Sequence, residues 1–323
     1  MIVVTGGAGF IGSNLVAALE ARGERDLAVA DRLGSGEKWR NLAKRELAAL
    51  VSPERIEDFL DAHAVEINAI FHLGAITSTT ESDVDAIVAA NVTLSLALWN
   101  WCVRHGVRFI YASSAATYGA GESGFADEQS PEALARLRPL NAYGWSKHLF
   151  DRRAARLAER KQHPPQWIGL KFFNVYGPNE YHKGAMQSSA AQIYPQAREG
   201  RAARLFRADA GGAPRRDFVC VEDCIAVMLW LYDHPEVSGI FNVGSGRARS
   251  YEDLAAALYG ALGKVPQIEH IDMPAEIRRR YQHFTEAPLA KLRDAGYNAE
   301  TTALETGIAR YVLDFLTQKD PYR

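Results

Sequence analysis

The N-terminal half of the chain alternates short, wholly apolar runs with longer stretches in which apolar positions recur at helical spacing. Segments 2–5, 27–30, 69–72, 108–112 and 168–172 are brief and mostly aliphatic or aromatic, as expected of strands buried on both faces. Between them, 13–22, 84–105 and 143–161 read as helices. Strand–helix alternation of this kind predicts an α/β fold, a doubly wound parallel sheet with helices on both faces. In such a sheet ligands sit beyond the carboxyl ends of the strands, so residues just after each apolar run are the informative ones.

After Gly177-Pro178 the pattern loosens, and 178–215 and 245–323 are richer in loops and in Gly, Pro, Arg and Tyr. Between them 217–221 reads as a strand, 222–232 as a helix and 240–243 as a strand closed by Gly244-Ser245-Gly246. This pattern predicts that the chain returns to the sheet. The expected division is a dinucleotide-binding domain of 1–172 and 216–244, with a smaller discontinuous substrate-binding domain of 173–215 and 245–323 over it. No internal repeat or low-complexity segment interrupts the reading.

The remaining composition narrows the class. With 323 residues, 47% of them hydrophobic, the chain can build one large or two modest cores. A formal charge of -2 points away from nucleic acid and anionic membranes. No apolar run reaches the roughly 20 residues of a bilayer span, and the first strand begins at Ile2, so a cytoplasmic protein without a leader is expected. Cys102, Cys220 and Cys224 read as reduced thiols, and no cluster around the last two suggests a metal.

Candidate chemistry falls where the topology requires it. Gly6, Gly9 and Gly12, with Phe10 and Ile11 between them, follow a strand and open a helix. Bare backbone there allows a pyrophosphate to approach, and the helix terminus offers unpaired N–H groups to it. Asp31 ends the second run, nineteen residues beyond Gly12, placed to accept hydrogen bonds from an adenosine ribose. Arg32 and Lys38 beside it either hold a 2′-phosphate, which would select NADP over NAD, or are solvated loop cations. Leu73-Gly74-Ala75 closes the next run with small residues against which a cofactor can lie, and Asn91 is a candidate brace for that loop. Ser114 ends the run from 108. Tyr143 and Lys147 stand one helical turn apart on one face, a phenol beside an ammonium that favours its ionised form. The Ser114 hydroxyl is a candidate to hold a substrate alcohol.

Gly6–Gly12, Ser114 and Tyr143/Lys147 together resemble the extended short-chain dehydrogenase/reductases that act on nucleotide sugars, which have a Rossmann-like fold. Segment 171–186, Lys-Phe-Phe-Asn-Val-Tyr-Gly-Pro-Asn-Glu-Tyr-His-Lys-Gly-Ala-Met, is narrower and resembles the signature of the ADP-L-glycero-D-manno-heptose 6-epimerase family. Segments 113–119, 216–219 and 280–285 share that resemblance, which runs over essentially the whole chain. It implies epimerisation at C6″ of an ADP-manno-heptose through a 6″-keto intermediate, with tightly held NADP and a homo-oligomeric, typically pentameric, assembly, serving the lipopolysaccharide inner core. By resemblance Lys183 is a second acid–base group and Val175 lines the nicotinamide side. Asn174, Ala185, Gln192, Phe206, Arg207, Asp209, Arg216 and Tyr281 then take the substrate. Three positions depart from the pattern: Ala185 replaces a serine, Gln192 a histidine, and Pro53 stands near an expected lysine. The rivals are a nucleotide-sugar 4-epimerase and, in another class, a non-catalytic dinucleotide sensor. Ala115-Ala116 lacks the acidic pair of a 4,6-dehydratase, and a sensor has no need of Ser114, Tyr143 and Lys147 together.

Overall fold

The computed structural model describes residues 1–208, 212–274 and 281–323. In chain order its strands are β1 (Ile2–Thr5), β2 (Leu27–Ala30), β3 (Ala49–Val51), β4 (Ala69–His72), β5 (Arg108–Ser114), β6 (Trp167–Phe172), β7 (Asn174–Tyr176), β8 (Ala203–Phe206), β9 (Arg215–Cys220), β10 (Gly239–Val243), β11 (Ala248–Ser250) and β12 (Ile268–Ile271). Its helices include α1 (Phe10–Ala21), α2 (Ile56–Ala62), α3 (Val84–Val88), α4 (Leu94–His105), α5 (Pro131–Arg136), α6 (Ala142–Glu159), α7 (Ser189–Arg198), α8 (Val221–Asp233) and α9 (Tyr251–Ala261). Seven strands form a parallel sheet in the order β10-β6-β5-β4-β1-β2-β3. From β1 the chain winds outward through β2 and β3, then returns to β4 on the other side. The crevice at the carboxyl ends of β1 and β4 is therefore the topological switch point, where such sheets bind ligands. The fold is Rossmann-like, as the sequence predicts.

The period of the strands explains the layers. Ile2 and Val4 of β1 enter a core with α1 and α8, while Val3 enters the opposite one with Trp99, Trp101 and Phe150 from α4 and α6. A third core, built on Ile193, Leu205, Phe218, Leu258 and Ile308, belongs to the smaller part of the molecule.

Three readings change. Strand 217–221 is β9, and it joins β7 and β11 in a separate three-stranded sheet. It is Gly239–Val243 that extends the central sheet, while α8 covers that sheet beside α1. The reason is local: Asp217 accepts the amides of Ser245, Gly246 and Ala287, tying β9 to the loops of the smaller part. Strand β3 escaped the pattern because it is three half-exposed residues, with Leu50 51% exposed. Finally, Val84–His105 is one continuous 22-residue helical stretch holding an 18-residue window of mean hydropathy 1.5, long and apolar enough by length and composition to cross a membrane. Asn91 and Ser95 hid this by breaking the apolar run, yet both are buried and hydrogen-bonded within the protein. At Asn91 the stretch passes through a π-turn, Ala89–Thr93.

Beneath the carboxyl edge lies a fully buried ion pair, Lys171 Nζ to Asp151 Oδ2 at 3.0 Å. Tyr111 and Ser113 donate to the same carboxylate at 3.0 and 2.7 Å, and Lys171 donates to Thr117 at 2.6 Å. Removing one partner strands the other charge in the core. Asp151→Ala should therefore cost about 3–5 kcal/mol of unfolding free energy in urea at pH 7, and adding Lys171→Met should recover part of the loss. A single-variant loss below about 1 kcal/mol would show that the charge is solvated after all.

Candidate active site

The glycine turn between β1 and α1 is shaped by contact. Gly6 takes a φ of +68°, and a Cβ there would meet the Gly74 nitrogen at 2.5 Å. A Cβ on Gly12 would meet the Gly6 carbonyl oxygen at 2.2 Å. Helix α1 starts after Gly9 with no side-chain cap, so its first amides are left for an anion. This cradle fits a dinucleotide pyrophosphate. Gly6, Gly9, Phe10, Ile11 and Gly12 all line a cavity of about 490 Å³, as do Leu73, Gly74 and Ala75 across the crevice.

At the ribose end, Asp31 Oδ2 accepts from the Ala8 N–H at 2.9 Å, and Oδ1 accepts from Lys38 Nζ at 2.6 Å. Both residues line the cavity. Arg32 stands outside it, exposed, its Nε donating to Glu54 at 2.7 Å. Asn91 does brace the β4 loop: Oδ1 accepts from the Ile76 N–H at 2.8 Å and Nδ2 donates to the Ile76 carbonyl at 2.9 Å.

The catalytic candidates converge on the same cavity. Asn141 caps α6 by accepting the Gly144 N–H at 2.8 Å, which fixes the first turn that carries Tyr143. Gly144 packs so closely on the turn after β5 that a Cβ would meet the Ala116 oxygen at 2.7 Å. That approach sets Tyr143 and Lys147 beside Ser114, and all three line the cavity. Lys183 lines the same cavity from the short helix Tyr181–Met186, with its Nζ 5.3 Å from the Phe10 ring centroid. Asn174, Val175 and Ala185 line it as well.

The electrostatics differ from the sequence reading at Tyr143. Burial pushes the phenol up, the Ser114 hydroxyl pulls it down, and Asp151 adds a further upward push. Desolvation of the phenolate is the largest of these influences. The Lys147 ammonium is lowered by burial to about 8, against the upward pull of Asp151 one turn on. Lys183 is also lowered by burial, with Glu180 opposing.

Glu180 is a residue that sequence reasoning passed over. Its carboxylate, fully buried, accepts from the Ser188 N–H, the Ser188 hydroxyl at 2.7 Å and the Tyr311 hydroxyl at 3.0 Å. It thereby clamps both ends of the loop that carries Lys183. An acid three residues ahead of a candidate base was the available signal. His182, Ser188 and Thr77 also line the cavity.

A second cavity of about 380 Å³ adjoins the first through Ser189 and is lined by Gln192, Phe206, Tyr281, Tyr251 and Pro214. The Phe206 and Tyr281 rings meet edge to face, with centroids 6.0 Å apart. Buried Arg216 stands behind them, its guanidinium 4.7 Å from the Tyr281 centroid and bonded to the Arg215 carbonyl; among the described residues no carboxylate pairs with it. Arg207 is exposed and pairs with Asp272 at 3.5 Å, away from both cavities. Asp209 and Arg280 lie outside the described residues. Two of the three departures from the expected pattern touch each other: Gln192 Nε2 donates to the Ala185 carbonyl at 3.1 Å.

Residues 2–244 match the NAD dependent epimerase/dehydratase family. The chain is 45% identical over 328 residues to an ADP-L-glycero-D-manno-heptose-6-epimerase of Nitratidesulfovibrio vulgaris (strain DP4), covering all of both chains. It is 42% identical over 334 residues to the protein of that name from Fusobacterium nucleatum, again over both full lengths. Among solved structures, the Helicobacter pylori ADP-L-glycero-D-manno-heptose-6-epimerase superposes with a TM-score of 0.77 at 27% identity, covering 96% of this chain and 94% of that one. The Thermus thermophilus UDP-glucose 4-epimerase complex with NAD gives 0.75 at 26%, covering 96% and 97%.

The lowered Lys147 makes a prediction about stability. Its ammonium is disfavoured by the fold, so folding is penalised at pH values below about 8, where both states carry the proton. The penalty is relieved between about 8 and the ordinary lysine value of 10.5, where only the unfolded chain still binds it. In protein stripped of nucleotide, the stability advantage of Lys147→Met should thus shrink by roughly 2–3 kcal/mol between pH 7 and 10. Urea titrations at each pH would check this, and a difference that stays flat would refute the burial assigned to Lys147.

Proposed function

The chain belongs to the NAD dependent epimerase/dehydratase family, among its ADP-L-glycero-D-manno-heptose 6-epimerases, and on that footing we propose that it converts ADP-D-glycero-β-D-manno-heptose to the L-glycero epimer. The observation that carries the reading is that two candidate acid–base groups, Tyr143 and Lys183, on segments forty residues apart in the chain, line one cavity that the glycine turn also lines. Inverting a carbinol carbon requires proton exchange with its oxygen in two orientations, one for each epimer. A single phenol serves one orientation; an ammonium on a separate segment serves the second.

In this reading the substrate C6″ lies between those groups. A nicotinamide dinucleotide, held by Gly6–Gly12, Asp31, Lys38 and Leu73–Ala75, supplies the hydride acceptor when bound. The Ser114 hydroxyl holds the C6″ oxygen, and Tyr143 takes its proton, its phenolate form favoured against burial by the Lys147 ammonium and, once the dinucleotide is bound, by the positive nicotinamide ring. Loss of hydrogen at C6″ gives a planar 6″-ketone, and return of hydride to its opposite face gives the other epimer, with Lys183 delivering the proton. Net redox is zero. Buried Arg216, which no carboxylate pairs with among the described residues, suits the substrate diphosphate, and Phe206 with Tyr281 suits the adenine.

The proposal includes NADP as the tightly held dinucleotide, with NAD as the alternative, in a cytoplasmic homo-oligomer that supplies heptose for the lipopolysaccharide inner core. What supports NADP is the pair of cations beside Asp31, of which Lys38 already faces the cavity. Arg32 would have to leave Glu54 to join it. Replacing Arg32 and Lys38 with Ala should weaken NADP+ at least ~10-fold more than NAD+ in calorimetric titration, because only NADP+ carries the 2′-phosphate. Equal weakening would leave the dinucleotide choice to other residues.

The reaction is tested by proton NMR of ADP-D-glycero-β-D-manno-heptose with the purified protein and no added cofactor. The L-glycero epimer should accumulate to equilibrium. Tyr143→Phe and Lys183→Ala should each retain dinucleotide yet lose at least ~10²-fold in turnover, the scale of a positioned acid–base group. No conversion, even with NADP+ or NAD+ added, would transfer the reading to another nucleotide sugar, as in a 4-epimerase. Unimpaired turnover by Lys183→Ala would remove it as the second base.

A further inference from the structure

Behind the cavity, five buried polar side chains on β1, β4, α4, the preceding π-turn and α6 form one continuous hydrogen-bonded path. Thr5 is 4% exposed, His72 1%, Ser95 1%, and Asn91 and Ser146 0%. The Gly74 N–H donates to Thr5 Oγ1 at 3.2 Å, and Thr5 Oγ1 lies 2.7 Å from His72 Nδ1. His72 Nε2 lies 2.8 Å from Ser95 Oγ, which donates to the Asn91 carbonyl at 2.7 Å. Asn91 Nδ2 donates to Ser146 Oγ at 3.0 Å, and Ser146 donates to the Tyr143 carbonyl at 2.7 Å.

The directions of these bonds follow from the inventory of donors. The Ser95 hydrogen is committed to Asn91, so His72 must donate to Ser95 from Nε2. Nδ1 of a neutral imidazole is then the acceptor, and Thr5 must donate to it. Thr5 is left with lone pairs facing the Gly74 N–H, which is the contact observed. One tautomer satisfies every member of the path. Burial holds that imidazole neutral, lowering it to about 3, and Lys147 pushes the same way.

The two ends of the path are both working parts. Gly74 lies against Gly6 and lines the dinucleotide crevice, while Tyr143 carries the candidate phenol. We propose that His72 is a positioning residue: through Thr5 and Ser95 it fixes the β4 loop, and the dinucleotide lying on it, in register with the catalytic turn of α6. No part of His72 reaches the cavity, so it acts only through its neighbours. The inference rests on the reading of the cavity as a dinucleotide site with Tyr143 as its acid–base group. Displacement of reacting atoms by about 1 Å costs on the order of 10²-fold in rate, so a side chain that fixes two loops together is expected to act on turnover.

Two variants separate hydrogen bonding from volume. His72→Phe keeps an aromatic ring to stack on Phe109, whose centroid is 5.8 Å from that of His72, but has neither a donor nor an acceptor. His72→Gln offers a carbonyl to Thr5 and an amide to Ser95. For His72→Phe, kcat should fall ~10–10²-fold with KM for the nucleotide sugar changed by less than ~3-fold, and the affinity of stripped protein for NADP+ should fall ~10-fold. Deuterium exchange of the peptide spanning 73–78 should quicken. For His72→Gln, all three quantities should stay within ~5-fold of the parent. Parent-like exchange and NADP+ affinity in His72→Phe, or equal impairment of both variants, would overturn the proposal by showing that His72 acts through its volume alone. Should His72→Phe fail to fold, Ser95→Ala takes the acceptor from Nε2–H and is judged by the same outcomes. Exchange and NADP+ affinity do not depend on which sugar the protein acts upon. A parent protein inert toward ADP-heptose would therefore refute the substrate while leaving this test intact.

Discussion

The structure depends first on how closely two backbones approach at the switch point. Strand β1 ends against β4, and Gly6 and Gly74 touch without side chains between them, so the crevice is floored by bare peptide. That contact leaves the first amides of α1 facing outward and brings the loop after β4 within reach of the same ligand. No side chain fits there, because the distances that a Cβ would create are well inside van der Waals contact. Everything polar around the site is arranged to hold that approach in place: Thr5 bonds to Gly74, Asp31 to Ala8, and Asn91 to Ile76.

The same tight packing sets the charge state of the site. Lys147 and Lys183 both reside in surroundings that disfavour an ammonium, and each has a carboxylate nearby that moderates the effect: Asp151 for the first, Glu180 for the second. Neither carboxylate is free to neutralise its lysine by direct pairing. Asp151 is committed to Lys171, Tyr111 and Ser113, and Glu180 to Ser188 and Tyr311. The carboxylates thus raise the lysines from a distance while serving as structural clamps. This division of labour leaves both ammonium groups out of direct ion pairs among the described residues.

What was legible in the sequence is what depends on local pattern. The glycine turn, the five apolar strands and the Tyr143–Lys147 spacing each announce themselves within a few residues, because strand burial, helix initiation and one helical turn are short-range constraints. The path through His72 was invisible, since its members are far apart in the chain and Thr5, His72, Ser95 and Ser146 each read alone as ordinary polar residues; only Asn91 stood out, as a brace for the β4 loop. Arg32 shows the converse. Its position beside Asp31 suggests either a phosphate ligand or a solvated cation, and its exposed pairing with Glu54, twenty-two residues on, could not be read from the chain. The sheet that takes β9 was misjudged for a similar reason: the partner of a short strand is chosen by long-range contacts at Asp217, not by its own composition.

The departures at Ala185 and Gln192 acquire a meaning from their contact. Replacing a serine by alanine removes a hydroxyl from the cavity wall, and a glutamine in place of histidine adds reach and a second donor hydrogen. Gln192 uses that amide on backbone, donating to the carbonyls of Ala185 and, at 2.8 Å, of Gln187. Both carbonyls follow Lys183 in the short loop that Glu180 clamps at its ends, where Gly184 breaks the helical turn with a φ of +53°. The amide of Gln192 thereby serves as a brace on the loop that carries Lys183, and the brace links the two cavities: Ala185 lines the first and Gln192 the second.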